Sequence, residues 1–500
     1  MNQDTTGNDF DVAIVGYGPV GATLANLLGQ EGLKVAVFER EKSVYHQPRA
    51  SHLDGETMRV YQSASLSKEI DEITIGAKGY DYINAEGQLL LKLRRDEGRG
   101  PQGWDHHYRF YQPALELTLR KGVERFDQVR VFLQNEVLNI VEAENHAVLK
   151  VLDKEEGTVR KFSAAYVVGC DGARSLVRSI MGTPMEDLGL HQPWLVIDIK
   201  LKRPVDLPIN GIQFCNPKRP ITYVPQIGSY DRYRWEIRVL PGEAKEDMER
   251  PERIWDLLSP WVKPEDAELE RASVYIFHAL LAQGWRKGRM ILAGDAAHMT
   301  PPFLGQGMCA GVRDVANLAW KLKLVIQNKV SDALLDSYEA ERSPNVREYI
   351  QMAVELGEII ATLDPISAAE RDQRMLEAPQ SLTEPVPPLG RGLHGNAPAP
   401  AGTLFPQPEL DNGMKLDDAI GLRFAVIGYS AVIESAPLEA KKLWETIGAA
   451  VLFAEQGAEI TQWLDENGVK AVIIRPDRYV LGAAANAAEL YEISGLLPLA

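Results

Sequence analysis

Apolar residues along this chain follow three spacings, and each spacing predicts a different element. Unbroken apolar runs at Asp9–Val15, Lys34–Phe38, Tyr166–Gly169 and Met290–Ala293 predict strands buried on both faces, as in a parallel sheet. Helical spacing follows from Pro19 to about Gln30 and from Pro113 to Arg125. It recurs from Ala333 to about Asp364, and from Met308 to about Gln327, where Val312, Val315, Ala316, Leu318, Ala319, Leu322 and Val325 share one face. Alternation, the sign of half-buried antiparallel strands, marks Gly79–Arg94 around an Ala85-Glu-Gly turn and several runs between Leu195 and Leu240. Val129–Val141 and Ala147–Leu152 predict a meander, and the polar stretch Gln47–Thr57 a loop. Residues 378–402 are dense in proline and glycine and predict a linker. A new α/β pattern starts beyond it, with strands at Gly421–Ile427, Ala449–Phe453 and Val469–Ile474 and helices at Ala436–Ile447 and Glu459–Glu466.

These elements predict a discontinuous α/β domain (1–75, 101–190 and 281–395), a mostly antiparallel sheet inserted into it (76–100 and 191–280), and a small α/β unit at 396–500. A chain of 500 residues is long enough for about three such cores. Composition removes several classes of function. With a net charge of −16 and no basic stripe, nucleic acid is not an expected partner. No run reaches the ~18 apolar residues of a membrane helix, so no membrane partner is expected. Met1–Asp11 is polar and acidic, unlike a signal peptide, and a cytoplasmic protein is expected. Three widely spaced cysteines, Cys170, Cys215 and Cys309, argue against a disulfide framework or a thiolate metal site. His106 and His107 alone do not make a metal site, since neighbours on a strand point to opposite faces; no metal is expected.

The chemistry gathers where buried strands end. Gly16-Tyr-Gly18-Pro19-Val20-Gly21 follows the first strand without a gap and opens a helix, and Glu39, followed by Arg40, ends the next strand. That is a Rossmann-like βαβ unit: Gly16 for the turn, Gly18 for approach to a pyrophosphate, Gly21 for helix packing, and Glu39 for ribose hydroxyls. Asp171-Gly172 and Gly294-Asp295 end two further strands. Either aspartate could hold a dinucleotide, or serve only as a turn or helix cap. Pro301-Pro302 delays the following helix, so its N-terminus, with Gly305, Gly307, Met308 and Cys309, faces back toward the loop. Such a terminus carries free N–H groups and about half a positive charge, which suits the N1–C2=O edge of a flavin. Arg49 could pair with phosphate or lie on the surface, and Gln112 is equally open. A structural role is expected for His298, and sheet core for Trp235, Tyr233 and Tyr223.

Three stretches in this order, Gly16-x-Gly18-x-x-Gly21 with Glu39, Cys170-Asp171-Gly172-Ala173-Arg174-Ser175, and Gly294-Asp295-Ala-Ala-His298 with Pro301-Pro302, resemble the group A flavoprotein aromatic hydroxylases. The segments at 211–225, 234–243, 301–322 and 335–344 are similar to a branch of that family, the hydroxyphenylpropionate hydroxylases. "IIRPDRYVLG" at 473–482 resembles the redox-inert thioredoxin-like domain that closes such chains. The resemblance implies a Rossmann-like FAD-binding domain, a substrate domain built on the inserted sheet, and a thioredoxin-like tail without redox cysteines. It implies FAD and NAD(P)H as cofactors and O2 and a small phenolic compound as substrates. The ring would be hydroxylated beside an existing hydroxyl through NAD(P)H-reduced flavin and a C4a-hydroperoxide. By the same resemblance Glu39 meets the adenosine ribose, Arg49 and Asp171 the phosphate and ribityl region, Gln112 and Asp295 the FAD, and the 302–309 backbone the isoalloxazine. A homodimer is possible. His52, Tyr223, Arg234 and His278 are the candidates to take the phenolic proton, His52 at a pKa near the ordinary 6.5. Two other readings stay open, a flavin halogenase or oxidase, although no Trp-x-Trp-x-Ile-Pro segment occurs, and a non-catalytic flavin sensor.

Overall fold

Val12, Ala13 and Ile14 have essentially no exposed surface, and the strand they belong to is the middle of the molecule. In the computed structural model, which describes residues 9–378, 380–384 and 386–499, Phe10–Val15 pairs in parallel with Val35–Glu39 on one side and Thr158–Gly169 on the other. Met290–Leu292 and Val129–Leu133 extend this sheet in parallel at either side. The carboxyl ends of four strands, at Val15, Glu39, Gly169 and Leu292, therefore reach one edge of the sheet. The first eight residues, on which the reading of the polar start rests, lie outside the described residues.

The inserted sheet has nine strands, with Met185–Leu201 and Ala267–Ala282 as its long antiparallel pair. Arg232–Arg238, Ile221–Val224, Gly211–Phe214, Tyr80–Ile83, Leu89–Arg94 and Gln380–Thr383 follow in that order. Strand alternation splits its residues cleanly. Leu195, Ile197, Ile199, Tyr223, Tyr233, Trp235 and Ile237 form a core with the helix Pro251–Leu258 on one face. Asp198, Gln213, Thr222, Arg234 and Glu236 lie on the other, which faces the nucleotide domain.

Four local expectations are corrected. Residues 47–57 are not all loop: His52–Asp54 is a strand against His107–Phe110, and Gly55–Ser63 is a helix capped by Asp54. Val129–Leu133 belongs to the parallel sheet, while the antiparallel meander is Asn135–Glu142, Ala147–Asp153 and Thr158–Gly169. The stretch expected as a linker contributes the strand Gln380–Thr383 beside Leu89–Arg94, preceded by a helix at Pro365–Glu377. The tail adds a fourth strand, Val480–Ala484, and a helix, Ala487–Ser494, to those expected.

The tail sheet runs Ala450–Phe453, Ala425–Gly428, Ala471–Ile474, Val480–Ala484. Buried polar contacts fix it to the rest: Arg59 donates to Asp417 at 2.7 and 2.8 Å, and the Tyr479 hydroxyl donates to Glu56 at 2.7 Å. Among the described residues no helix is long and apolar enough to cross a membrane.

Candidate active site

Each strand that ends at the common edge delivers a turn and then a helix. Gly16 turns at φ +99°, where a Cβ would sit 2.4 Å from the Cys170 carbonyl oxygen, and a Cβ on Gly21 would sit 2.1 Å from the Gly16 carbonyl oxygen. Both glycines are thus dictated by packing. Gly18 differs, because a Cβ there would meet nothing within 4 Å; the backbone is open ahead of the helix Pro19–Gln30, whose first N–H groups lack partners within the helix. Glu39 receives the N–H groups of Tyr17 and Glu41, each at 2.9 Å, so the carboxylate is fixed beside this turn. Arg40 lies exposed against Glu41. Asp171 is occupied by its own chain, accepting from the Ser175 hydroxyl and the Leu176 and Val177 N–H groups at the start of the helix Leu176–Met181. Gly172, at φ +78°, leaves open space at the cleft.

The loop after Met290–Leu292 is held from beneath. Asp314 accepts from the Gly294 N–H at 3.1 Å, pairs with His298 Nε2 at 2.6 Å, and is bound by Arg342 at 3.0 Å, which gives His298 its structural role. Asp295 next to it is exposed to the cleft, and its carboxylate makes no hydrogen bond among the described residues. The helix Gly307–Ile326 begins with no side-chain cap. Gln306, just before it, is held by Arg313 at 2.9 Å and donates to Asp54 at 3.1 Å and to Glu384, while Arg313 also binds Asp54 and Glu56. Pro302, Gly305, Gly307 and Met308 line the cleft; Cys309 is buried behind them, and burial pushes its thiol up to about 12.

His52 lies beneath Gly305 and is 4% exposed. Its Nδ1 is 3.2 Å from the Gly305 carbonyl, which can only accept, so Nδ1 carries the hydrogen and Nε2 accepts from His107 Nδ1 at 3.1 Å. Burial, with Arg95 and His107 adjacent, holds the His52 pKa well below its ordinary value. The expectation of an imidazole titrating near neutrality is therefore corrected: the ring is neutral with both nitrogens engaged.

The loop at 48–50 closes the cleft from above. Gln112, the first residue of the helix Gln112–Val123, accepts from the N–H groups of Arg49 and Ala50 at 2.9 and 2.7 Å and donates to Glu116. Arg234 donates to the carbonyls of Arg49 and Pro48 at 2.7 and 3.0 Å and grips Asp198 at 2.7 and 3.2 Å; Arg271 binds the Pro48 carbonyl as well. Between this loop, the 293–308 loop and the polar face of the inserted sheet lies a cavity of about 260 Å³. Gly18, Pro19, Val20, Arg49, His52, Gln112, Gly172, Arg234, Asp295 and the 302–308 loop all border it.

Two proposed proton acceptors lie elsewhere. Tyr223 points to the opposite face of the sheet, its hydroxyl donating to the Pro208 carbonyl at 2.8 Å, and His278 pairs with His191 on the surface at 2.6 Å. Sequence reasoning missed Tyr80, Arg95, Gln213, Thr222 and Glu236, which border the cavity. It also missed Glu384, which reaches Arg95 and Gln306 from the proline-rich stretch. Alternation on 211–214, 221–224 and 232–238 groups Gln213, Thr222 and Glu236, and could have found them once the facing side was known.

An open glycine turn at one helix start, an uncapped helix start at 307, and an unpartnered carboxylate between them suit an extended dinucleotide with a flat ring, so these residues fit FAD. Comparison with known proteins agrees. The sequence profile described as "FAD binding domain" matches residues 9–353. A relative from Rhodococcus jostii (strain RHA1), named probable NADH-specific resorcinol 4-hydroxylase, is 36% identical over 96% of this chain and 93% of its own. A 3-(3-hydroxy-phenyl)propionate/3-hydroxycinnamic acid hydroxylase from Mycolicibacterium smegmatis (strain ATCC 700084 / mc(2)155) is 32% identical over 95% of this chain and 90% of its own. Aklavinone-11 hydroxylase, solved with FAD and aklavinone, shares the fold over 100% of both chains at TM-score 0.82 and 21% identity. Matched by the family profile across the nucleotide domain and by these relatives almost end to end, the chain belongs to the FAD-binding family of flavoprotein aromatic hydroxylases.

Proposed function

We propose that this protein is an FAD-dependent, NAD(P)H-consuming monooxygenase that adds a hydroxyl to a phenolic ring beside an existing hydroxyl. The observation that carries this reading is the cavity that runs from the glycine turn at Gly18 and the uncapped helix start at Gly307 to the polar face of the inserted sheet, so that the flavin position and the sheet border one cleft. When bound, FAD would take a hydride from NAD(P)H and, with O2, supply an electrophilic oxygen. The chain's own residues then bind, orient and exclude water. Gly18 and the helix start at Pro19 would receive the pyrophosphate, with Arg49 beside it, Glu39 the adenosine ribose, and Asp295 a ribityl hydroxyl. The N–H groups of Gly307, Met308 and Cys309 would face the N1–O2 edge, where negative charge collects on reduction.

His52 acts in this scheme as a positioning group that holds the Gly305 carbonyl, and Arg234 as a clamp on the 48–49 loop. Phe303, Leu304 and Val224 supply the apolar part of the cavity wall and keep water from the reacting atoms. The segments 76–100 and 191–280 form the substrate domain, and 396–500 is a structural tail that carries no cysteine. The Rhodococcus jostii relative, named as NADH-specific, supports NADH as the reductant. Free thiols at Cys170, Cys215 and Cys309 and the absence of a membrane-crossing helix among the described residues support a cytoplasmic protein. The hydroxylase names of the relatives favour this reading over a halogenase, oxidase or sensor. The test is NADH oxidation by FAD-loaded protein with and without a phenol such as resorcinol, with product identified by mass. Oxidation that no phenol stimulates would overturn the proposal.

A further inference from the structure

We propose that Glu236 is the residue that receives the ring hydroxyl of the substrate, accepting its hydrogen bond and then its proton as the ring is attacked. This rests on the reading of the cleft as a phenol hydroxylase site.

Glu236 stands on the cavity face of the strand Arg232–Arg238, directly across from Thr222, which in turn pairs with Gln213. The three make one polar row across the sheet, and all three border the cavity. Thr222 donates to the Gln213 amide oxygen at 2.5 Å, and the Gln213 amide N–H groups make no hydrogen bond among the described residues. Glu236 is only 6% exposed, yet its carboxylate makes no hydrogen bond among the described residues. A buried carboxylate without a donor is costly, and such groups are normally partnered.

The charged groups around it do not fill that role. Arg234, on the same strand, lies 3.8 Å away and spends its guanidinium on Asp198, Pro48 and Arg49. Arg271, from the strand Ala267–Ala282, binds the Pro48 carbonyl and stands 3.5 Å from Asp198, itself on Met185–Leu201. Two cations and two carboxylates thus meet here, and of the two carboxylates it is Asp198 that receives the hydrogen bonds. Tyr80 and Arg95 border the same cavity from the far side of the sheet. Burial raises the Glu236 pKa above the ordinary glutamate value, which makes it a better base than an exposed carboxylate.

A phenol supplies what the site lacks, an O–H donor at the end of a flat apolar ring. In the step assigned to Glu236 the ring O–H bond breaks, its electron pair stays on the ring oxygen, and the proton goes to a carboxylate oxygen. The enriched oxygen pushes electron density to the adjacent carbon, where the new C–O bond would form as the O–O bond of the O2-derived oxidant supplied by the reduced flavin breaks. The second oxygen would leave as water, and the attacked carbon would lose its proton to solvent, restoring the aromatic ring. A second hydroxyl on the ring would meet the Gln213–Thr222 end of the row, so the fitted class is a ring bearing one or two hydroxyls.

The test uses FAD-loaded enzyme with resorcinol as the probe, comparing wild type, E236Q and E236D. Resorcinol affinity is read from the flavin absorbance change, and kcat/KM across pH from NADH oxidation and product. Wild-type kcat/KM should fall as pH is lowered through the raised carboxyl pKa, because only the ionised form accepts the proton. E236Q, with FAD still bound one per chain, should lose roughly 100-fold in kcat/KM together with that acid limb, the scale of one proton-transfer group, and should bind resorcinol about tenfold more weakly. E236D should recover part of the rate and shift the limb. Wild-type kcat/KM and limb in E236Q would overturn the assignment. If E236Q does not accumulate folded, an E236D profile superimposable on wild type would do so. Wild-type enzyme that binds FAD but shows no phenol-stimulated turnover would instead overturn the reading beneath it.

Discussion

Arg234→Met removes a guanidinium while keeping most of the side chain's apolar volume, and so isolates the clamp on the 48–49 loop. The loss comprises two contacts with Asp198 at 2.7 and 3.2 Å and two hydrogen bonds to the carbonyls of Arg49 and Pro48 at 2.7 and 3.0 Å, all in a residue 3% exposed. Breaking a buried pair from one side costs roughly 3–5 kcal/mol, because the remaining charge is stranded. Arg271 offsets part of this, being within 3.5 Å of Asp198 and already on the Pro48 carbonyl, so about 3 kcal/mol is expected. Gln112 still holds the N–H groups of Arg49 and Ala50, so the loop should loosen rather than detach. FAD affinity should then fall about tenfold, equivalent to ~1.4 kcal/mol. Urea unfolding followed by tryptophan fluorescence gives the first quantity and flavin titration the second. Stability within about 0.5 kcal/mol of wild type, the range of an ordinary surface change, would refute the clamp. Full stability and FAD binding with turnover lost would mean that Arg234 acts on the substrate itself.

Asp295→Ala should weaken FAD binding by roughly 1.5–3 kcal/mol, the worth of one hydrogen bond to a charged acceptor, with no loss of apoprotein stability, since the carboxylate has no protein partner among the described residues; equal FAD affinity would remove it from the site. Tyr479→Phe strands one buried Glu56 oxygen in the chain Tyr479–Glu56–Arg313–Gln306 and should cost about 1–3 kcal/mol; an unchanged melt would show that the tail does not support the flavin-facing helix through this contact. Burial, with Arg95 nearby, pulls the His107 pKa down to about 3. The unfolded chain therefore binds more protons between about pH 6.5 and 3, and stability from this group, complete above about 6.5, is lost as pH falls through that window, by at most ~1.4 kcal/mol per unit. His107→Asn should flatten the acid slope of stability, and an identical slope would contradict the assignment.

The nucleotide half of the site was legible because its signals are local. Gly16, Gly18 and Gly21 sit within six residues of one another, and doubly buried strands declare themselves as unbroken apolar runs whose ends carry Glu39, Asp171 and Asp295. The substrate half was not legible for a physical reason. Alternation on Ile221–Val224 and Arg232–Arg238 separates Tyr223 and Trp235 from Thr222 and Glu236, but both faces of this sheet are covered, one by the helix Pro251–Leu258 and the other by the nucleotide domain. Period two cannot tell which cover holds the cavity, so Tyr223 stands among the sequence candidates while Glu236, on the other face, does not. The Asp198–Arg234–Arg271 cluster joins three strands, and Glu384 enters from a stretch whose prolines conceal a four-residue strand. His52 looked like a loop histidine, and only its pairing with His107 and Gly305 reveals a neutral strut.

The account's central claim is that this cleft holds FAD and a phenolic ring together so that reduction is coupled to ring hydroxylation. The direct measurement is product formed per NADH consumed by the FAD-loaded protein with resorcinol under air, with hydrogen peroxide measured in parallel. The account predicts NADH oxidation that rises on addition of resorcinol, with a product one oxygen heavier in near-equal amount and little peroxide. NADH oxidation indifferent to every phenol supplied, or ending wholly in peroxide with no hydroxylated product, would contradict it.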